Sequence, residues 1–266
     1  VAEYDESAID GSEGLMAVRD DPAMYLGSNQ VEGIIQMVHE VVENSIDEGR
    51  VIHRRLPDYP IEINVEISKD GTVTVKDNGR GIPVGLHPRK KVPTIYLALE
   101  KINFGAKRQR VGAQMSSAYG GGTIGTHGAG LACTVAVSER FYCQVRRDGE
   151  IWEVEYRKGV RTIDLRKIGN CEPNDIGTTI SFKYDDEIMG LYSNTLGEVD
   201  FPFQPQYFID KFKQYVLYAK NTVINFKWEL PNGETGFETF DSNEYTLKSL
   251  LEETALEGAI LVEVEY

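Results

Sequence analysis

His39-Glu40-Val41-Val42-Glu43-Asn44-Ser45-Ile46-Asp47-Glu48, followed further along by Asp77-Asn78-Gly79-Arg80-Gly81, decides how this chain is read. On a helix Glu40, Asn44, Asp47 and Glu48 fall at offsets of four, seven and eight, so their polar groups share one face. Ile34, Val38, Val41 and Ser45 make a neighbouring apolar to small stripe. Asn29 with Glu32 three residues later predicts a capping box at the helix start. A solvated acidic surface would carry the same charges. Against it, neither Glu40 nor Glu43 has a Lys or Arg at the fourth residue on, and Asn sits poorly inside a helix unless its amide has a partner. A carboxylate and an amide one turn apart suit a water-activating base, Glu40, beside a magnesium ligand, Asn44. Mg²⁺ prefers hard oxygens and is usually held by few protein groups plus phosphates.

Beyond the helix lies a hairpin pattern. Ile61, Ile63, Val65 and Ile67 alternate with polar residues, Asp70-Gly71 supplies a turn, and Val73 and Val75 resume the alternation, which leaves Asp77 at the end of a strand. A carboxylate there, with Gly79 and Gly81 after it, can accept from an exocyclic amine while bare backbone lies close to a planar ring. Asp-Asn-Gly is also ordinary Asx-turn chemistry. The third element runs from Gly120 to Gly130 with six glycines and leads into the apolar stretch Leu131 to Val137. Glycines let backbone N–H groups converge on an anion at the start of a helix, so this segment reads as a phosphate loop. The Gly120-x-Gly122-x-x-Gly125 match to a dinucleotide fingerprint is discounted, because no clear strand precedes it and no acid is well placed beyond it. No glycine-rich segment ends in Gly-Lys-Ser or Gly-Lys-Thr, and protein-kinase signatures are missing.

Taken together with Val18 to Ser28, Asp77 to Pro83, Gly105-Ala106-Lys107, Gly125 to Gly130 and Gly177-Thr178-Thr179, these segments resemble the ATPase region of bacterial-type type IIA topoisomerases. Those are the gyrase B and topoisomerase IV ParE subunits, within the GHKL superfamily, and the resemblance covers almost the whole chain. It implies an α+β sandwich of a mixed β-sheet with helices on one face, followed by the start of a transducer domain. It also implies ATP and Mg²⁺ as ligands. Glu40 would be the general base and Asn44 the magnesium ligand. Asp77 would read the adenine amine, helped by Thr178 through water, with Ile82 and Pro83 lining the ring. Glu48, Gly79 and Gly81 belong to the binding set. Lys107 and the backbone of Gly125, Thr126, His127, Gly128, Ala129 and Gly130 would hold the triphosphate, Tyr119 would touch the nucleoside, and Tyr4 and Ile9 lie in an arm that crosses an ATP-dependent homodimer. A DNA-cleaving topoisomerase subunit or domain is the implied further partner.

Several positions depart from the family pattern and mark a divergent member. Gln36 stands where a His usually precedes the catalytic Glu, Ala106 replaces a glycine, Thr126 a leucine, and Asp20-Asp21 a basic pair. His39 points about a hundred degrees away from that site on a helix and reads as a packed or exposed residue. No Gln-Thr-Lys occurs in the 266 residues, so the lysine that reaches the γ-phosphate in the family is not supplied here and hydrolysis by this fragment is expected to be slow. Two alternatives share the Glu-Asn and Asp-Gly-Gly signals: another GHKL ATPase, Hsp90-like or MutL-like, and a non-hydrolysing nucleotide-binding module. Met24-Tyr25-Leu26-Gly27 favours the topoisomerase.

Composition sets outer limits. A formal charge of −14 argues against this region gripping DNA phosphates by itself, so DNA contact is expected through regions outside the chain. Cys133, Cys143 and Cys171 lack metal spacing and read as reduced residues of a cytoplasmic protein. No signal peptide or membrane-spanning run is seen, so no membrane partner is expected. The organisation reads as an extended arm and turn over 1–28, an ATP-binding domain over 29–222 with a helix at Phe208 to Tyr218, and a partial transducer domain over 223–266.

Overall fold

The structure, a computed structural model, describes residues 11–102, 130–194 and 196–245. Tyr4, Ile9, Lys107, Tyr119, Gly125, Thr126, His127, Gly128 and Ala129 lie outside the described residues, as do 246–266 of the expected transducer segment.

Six helices and ten strands are described: α1 (Gly11–Asp20), α2 (Pro22–Leu26), α3 (Val31–His53), β1 (Ile61–Ile67), β2 (Val73–Asp77), α4 (Thr94–Glu100), α5 (Gly130–Ala136), β3 (Ser138–Arg147), β4 (Glu150–Arg157), β5 (Val160–Asn170), β6 (Gly177–Tyr184), β7 (Tyr192–Ser193), β8 (Gly197–Glu198), α6 (Pro205–Tyr218), β9 (Thr222–Glu229) and β10 (Thr235–Asp241). Eight strands form one sheet in the order β10-β9-β1-β2-β6-β3-β4-β5, with β7 and β8 as a separate ribbon. β1 and β9 run parallel and the other neighbours antiparallel, so the sheet is mixed as expected.

One face of the sheet is apolar because the strands alternate. Ile61, Ile63, Val65 and Ile67 are buried while Glu62 and Glu66 are exposed, and Val73, Val75 and Asp77 continue the inward row on β2. The hairpins that follow owe their sharpness to backbone sign. Asp148 and Gly149, then Lys158 and Gly159, all have positive φ, the pairing of a two-residue loop whose twist matches the strands it joins. Cys133 and Cys143 are buried free thiols, and burial pushes the Cys133 thiol up to about 12, so they serve as small apolar residues.

Three expectations are corrected. Residues 11–26 are helical instead of extended. Leu15, Val18 and Leu26 are buried, Pro22 occupies the first turn of α2, and the Asp21 carboxylate accepts from the Met24 N–H, which gives the unusual Asp20-Asp21 pair a capping use. Arg19 then fastens α1 to the domain through Asp185 at 2.6 Å and the Ala136 carbonyl at 2.8 Å.

No capping box forms at α3, whose N-cap is Gln30 without a side-chain bond. Glu32 instead accepts from the Asn194 N–H at 2.8 Å and the Ser193 hydroxyl at 3.4 Å. Nor does a separate unit begin at Val223. β9 lies beside β1 over seven register pairs, and Phe226 and Phe240 close over Phe212 of α6 at ring distances of 5.4 and 5.9 Å. Without those two strands the aromatic face of α6 would be open to water.

Candidate nucleotide site

α3 starts from a stripe, not a cap. Ile34, Val38, Val41 and Ser45 are buried against the sheet, which fixes the rotation of the helix and leaves Glu40, Asn44, Asp47 and Glu48 together on the neighbouring face. Glu43 is on a different side: the Tyr215 hydroxyl of α6 donates to it at 2.7 Å, and burial raises its carboxyl above the usual range.

Glu40 is buried, 7% exposed. Its Oε1 accepts from the Gln36 amide at 2.9 Å, one turn earlier on the same face. The residue that departs from the family pattern thus holds the candidate base through a donor that does not titrate. Gly130, at the start of α5, is packed against the other oxygen, and a Cβ there would overlap the Glu40 carboxylate. A larger residue at 130 would displace the base.

Asn44 donates its amide to the Glu40 carbonyl at 2.7 Å, so the atom it can offer a cation is its oxygen. Among the described residues no group of three or more His, Cys, Asp or Glu could hold a metal. A cation here would rely on that one amide oxygen together with ligand phosphates, which suits Mg²⁺ better than a transition metal.

Asp77 sits inward at the end of β2, 8% exposed. Its Oδ1 accepts from the Gly79 N–H at 2.9 Å and the Thr178 N–H at 3.1 Å, and its Oδ2 from the Ser45 hydroxyl at 3.1 Å. The Gly79 bond is an Asx turn, and it leaves Oδ2 facing Ser45. Burial pushes the Asp77 carboxyl above the ordinary range, the three donors oppose that, and the charge of Glu48 adds to it. Asn78 points the other way and staples the turn to the sheet, accepting from the Glu62 N–H and donating to the Pro60 carbonyl, both at 2.9 Å.

Glu48 is committed to Arg80. It accepts from the guanidinium at 2.9 Å and from the Arg80 N–H at 3.1 Å, bracing the loop that carries Gly79 and Gly81. Arg147 holds the same loop from the other side, donating to the Gly81 carbonyl at 2.8 Å. Ile82 is half-buried and Pro83 exposed, leaving an open rim. Thr178 is buried beside Asp77 and reaches it through its backbone. Sequence reasoning singled out Glu40, Asn44, Asp77 and Thr178, and missed Ser45, Arg80, Arg146 and Arg147 as their supports. The only sequence signal for Ser45 is a small polar residue inside an apolar stripe.

His39 is packed, as its helical angle implies. It lies between Phe208 at 5.7 Å and Tyr215 at 6.0 Å, is 8% exposed, and has no hydrogen-bond partner on Nδ1 among the described residues. Burial, reinforced by Lys211, lowers its pKa from 6.5 to about 4. Below pH 6.5 the unfolded chain takes up a proton that the folded chain refuses, so folding stability contributed by neutral His39 is lost as pH falls from 6.5 toward 4. Chemical denaturation at pH 7 and pH 4.5 should show a loss about 2 to 3 kcal/mol larger for the parent than for His39→Phe. Equal losses would mean that His39 is accessible.

Residues 29–188 match the histidine kinase-, DNA gyrase B- and HSP90-like ATPase family, and the chain belongs to that family. Its α+β sandwich is the GHKL fold. Among relatives, the DNA gyrase B protein of Clostridium acetobutylicum is 39% identical over 189 residues, covering 70% of this chain and 27% of that protein. The DNA gyrase B protein of Streptomyces coelicolor is 37% identical over 214 residues, covering 79% and 28% respectively. The crystal structure of the 43K ATPase domain of Thermus thermophilus gyrase B, in complex with an aminocoumarin, matches with a TM-score of 0.70 at 26% identity, over 96% of this chain and 58% of that one. The chain thus spans little more than a quarter of those two curated relatives.

Proposed function

We propose that this chain is the ATP-binding and ATP-hydrolysing region of a type IIA DNA topoisomerase, in which nucleotide closes a dimer clamp during DNA strand passage. The observation that carries the reading is the pair of buried carboxylates, Asp77 and Glu40, joined through Ser45 of the helix that carries the second. Asp77 accepts from the adenine amine, with Thr178 beside it and Ile82 and Pro83 at the ring. Lys107 and residues 125–130 hold the triphosphate and Tyr119 the nucleoside. Glu40 takes the proton of the attacking water as the water oxygen bonds to the γ-phosphorus and the bond from that phosphorus to the β–γ bridging oxygen breaks, releasing ADP, with Gln36 fixing the carboxylate. Bound Mg²⁺, held by Asn44, would supply charge neutralisation on the phosphates. Phosphoryl transfer leaves the protein mostly positioning and charge stabilisation to do, which these residues can provide.

Residues 29 to about 241 form the ATP-binding domain in this reading, since β9 and β10 complete its sheet. Tyr4 and Ile9 reach across to a second copy. DNA and the cleaving subunit are engaged by parts outside these residues, in the cytoplasm. No described helix is long and apolar enough to cross a membrane.

Calorimetry with a non-hydrolysable ATP analogue tests the nucleotide assignment. Affinity should rise about tenfold when Mg²⁺ replaces EDTA, and Asn44→Ala should remove most of that gain. Full magnesium dependence in Asn44→Ala would place the cation elsewhere. ATP-dependent change of plasmid topology by the full-length protein with its cleaving subunit tests the larger assignment, and ATP-independent or absent activity would overturn it.

A further inference from the structure

Arg146 lies near the end of β3, paired in register with Gly177 of β6, and its side chain is only 8% exposed. Its Nε donates to Asp175 Oδ1 at 2.9 Å, Nη1 to the Thr179 hydroxyl at 3.2 Å, and Nη2 to the backbone carbonyl of Asp77 at 3.4 Å. Asp175 is itself half exposed. A pair at the surface would not require the guanidinium to be buried, and burying an arginine is costly unless its donors are used.

The planar fork is used here to join three separate pieces of chain: the end of β2, the turn before β6, and the start of β6. Gly177 shows how tightly these pieces meet. Its φ is +145°, and a Cβ on it would overlap the Asp77 carbonyl and lie 2.8 Å from Arg146 Nη2. The next residue, Thr178, supplies the N–H that holds Asp77 Oδ1. The guanidinium therefore sets the spacing between the carboxylate and one of the donors that aim it.

We propose that Arg146 is a positioning residue for base selection: by fixing Asp77 against Thr178, it keeps the carboxylate directed at an exocyclic amine and makes the site favour adenine over guanine nucleotides. This rests on the reading of Asp77 as the adenine anchor. Arg146 does not touch the base. Its removal should loosen recognition without altering the chemistry at Glu40.

Arg146→Met keeps the length and apolar stem and removes the donors. Calorimetry with non-hydrolysable ATP and GTP analogues should show ATP affinity about tenfold weaker, GTP affinity little changed, and the ATP-to-GTP ratio reduced accordingly. KM should rise while kcat at saturating ATP stays within about twofold. Arg146→Lys, with charge but no fork, should fall between. If Arg146→Met fails to fold, Asp175→Asn combined with Thr179→Val weakens two of the three contacts and decides by the same ratio. An unchanged ratio, or equal losses for both nucleotides, overturns the proposal while Asp77→Asn still abolishes ATP binding. Normal ATP binding by Asp77→Asn would instead overturn the adenine reading on which the proposal rests.

Discussion

Asp77→Asn is expected to abolish measurable ATP binding while leaving the fold intact. The substitution is almost isosteric, so the argument turns on which atom carries hydrogens. Oδ1 accepts two backbone N–H groups, from Gly79 and Thr178, and an amide in this place must keep its oxygen there. The new NH₂ then occupies the Oδ2 position, facing Ser45 and, in the proposed pose, the adenine amine. The Ser45 hydroxyl can rotate to accept, whereas an exocyclic amine bound by its hydrogens cannot. The result is a donor facing a donor in a site shielded from water.

Sites built around one such hydrogen bond lose several orders of magnitude when it cannot form, so affinity should fall by roughly a hundredfold or more. Thermal unfolding should be little affected, because the Gly79 and Thr178 N–H groups keep their acceptor and the Ser45 hydroxyl, while accepting from the new amide, can donate to the Val41 carbonyl. Calorimetry with a non-hydrolysable analogue reads the first quantity and a melting curve the second. Affinity within twofold of the parent would remove Asp77 from the adenine site.

Asp77 could be found from sequence because its position follows from local rules. The alternation from Ile61 to Ile67 and from Val73 to Val75 sets the inward row, and an acidic residue in that row has to be accounted for. The hairpins at Asp148-Gly149 and Lys158-Gly159 also follow from local chemistry, since glycine readily takes the second positive-φ position of a two-residue loop. What stayed hidden depends on partners far along the chain. Glu32 has the spacing of a capping box but is claimed by Ser193 and Asn194, 161 and 162 positions away. β9 looks like the start of something new because its neighbour, β1, was laid down some 161 residues earlier. Arg19 is unremarkable until Asp185 and the Ala136 carbonyl arrive beside it. The same division runs through the site: Glu40 and Asn44 share a helix face, while Ser45 and Arg146 gain meaning only where β2, β3 and β6 converge on Asp77.

Glu40→Gln should separate binding from chemistry. The amide keeps an oxygen that can accept from Gln36, preserves the volume beside Gly130, and so should leave nucleotide affinity within about threefold of the parent. What it loses is the capacity to take a proton from the attacking water. A positioned general base contributes roughly a hundredfold to ten-thousandfold, so kcat should fall by that amount with KM little changed.

Gln36 supplies the matching control. Gln36→Leu leaves the carboxylate in place but removes its donor, so the base is present and less well aimed. Its turnover should lie between those of the parent and Glu40→Gln, with affinity again unchanged, because misplacing a reacting group costs rate more than binding. Because Gln36 does not titrate, the pH dependence of the parent should carry no ionisation from the orienting residue, whereas Gln36→His should introduce one in the range where histidine changes charge. Single-turnover ATPase assays across pH on the four proteins would measure these rates, each in the full-length protein because these 266 residues alone are expected to hydrolyse slowly. Parent-like hydrolysis by Glu40→Gln would assign the base to another residue, and with it Gln36 would lose its orienting role.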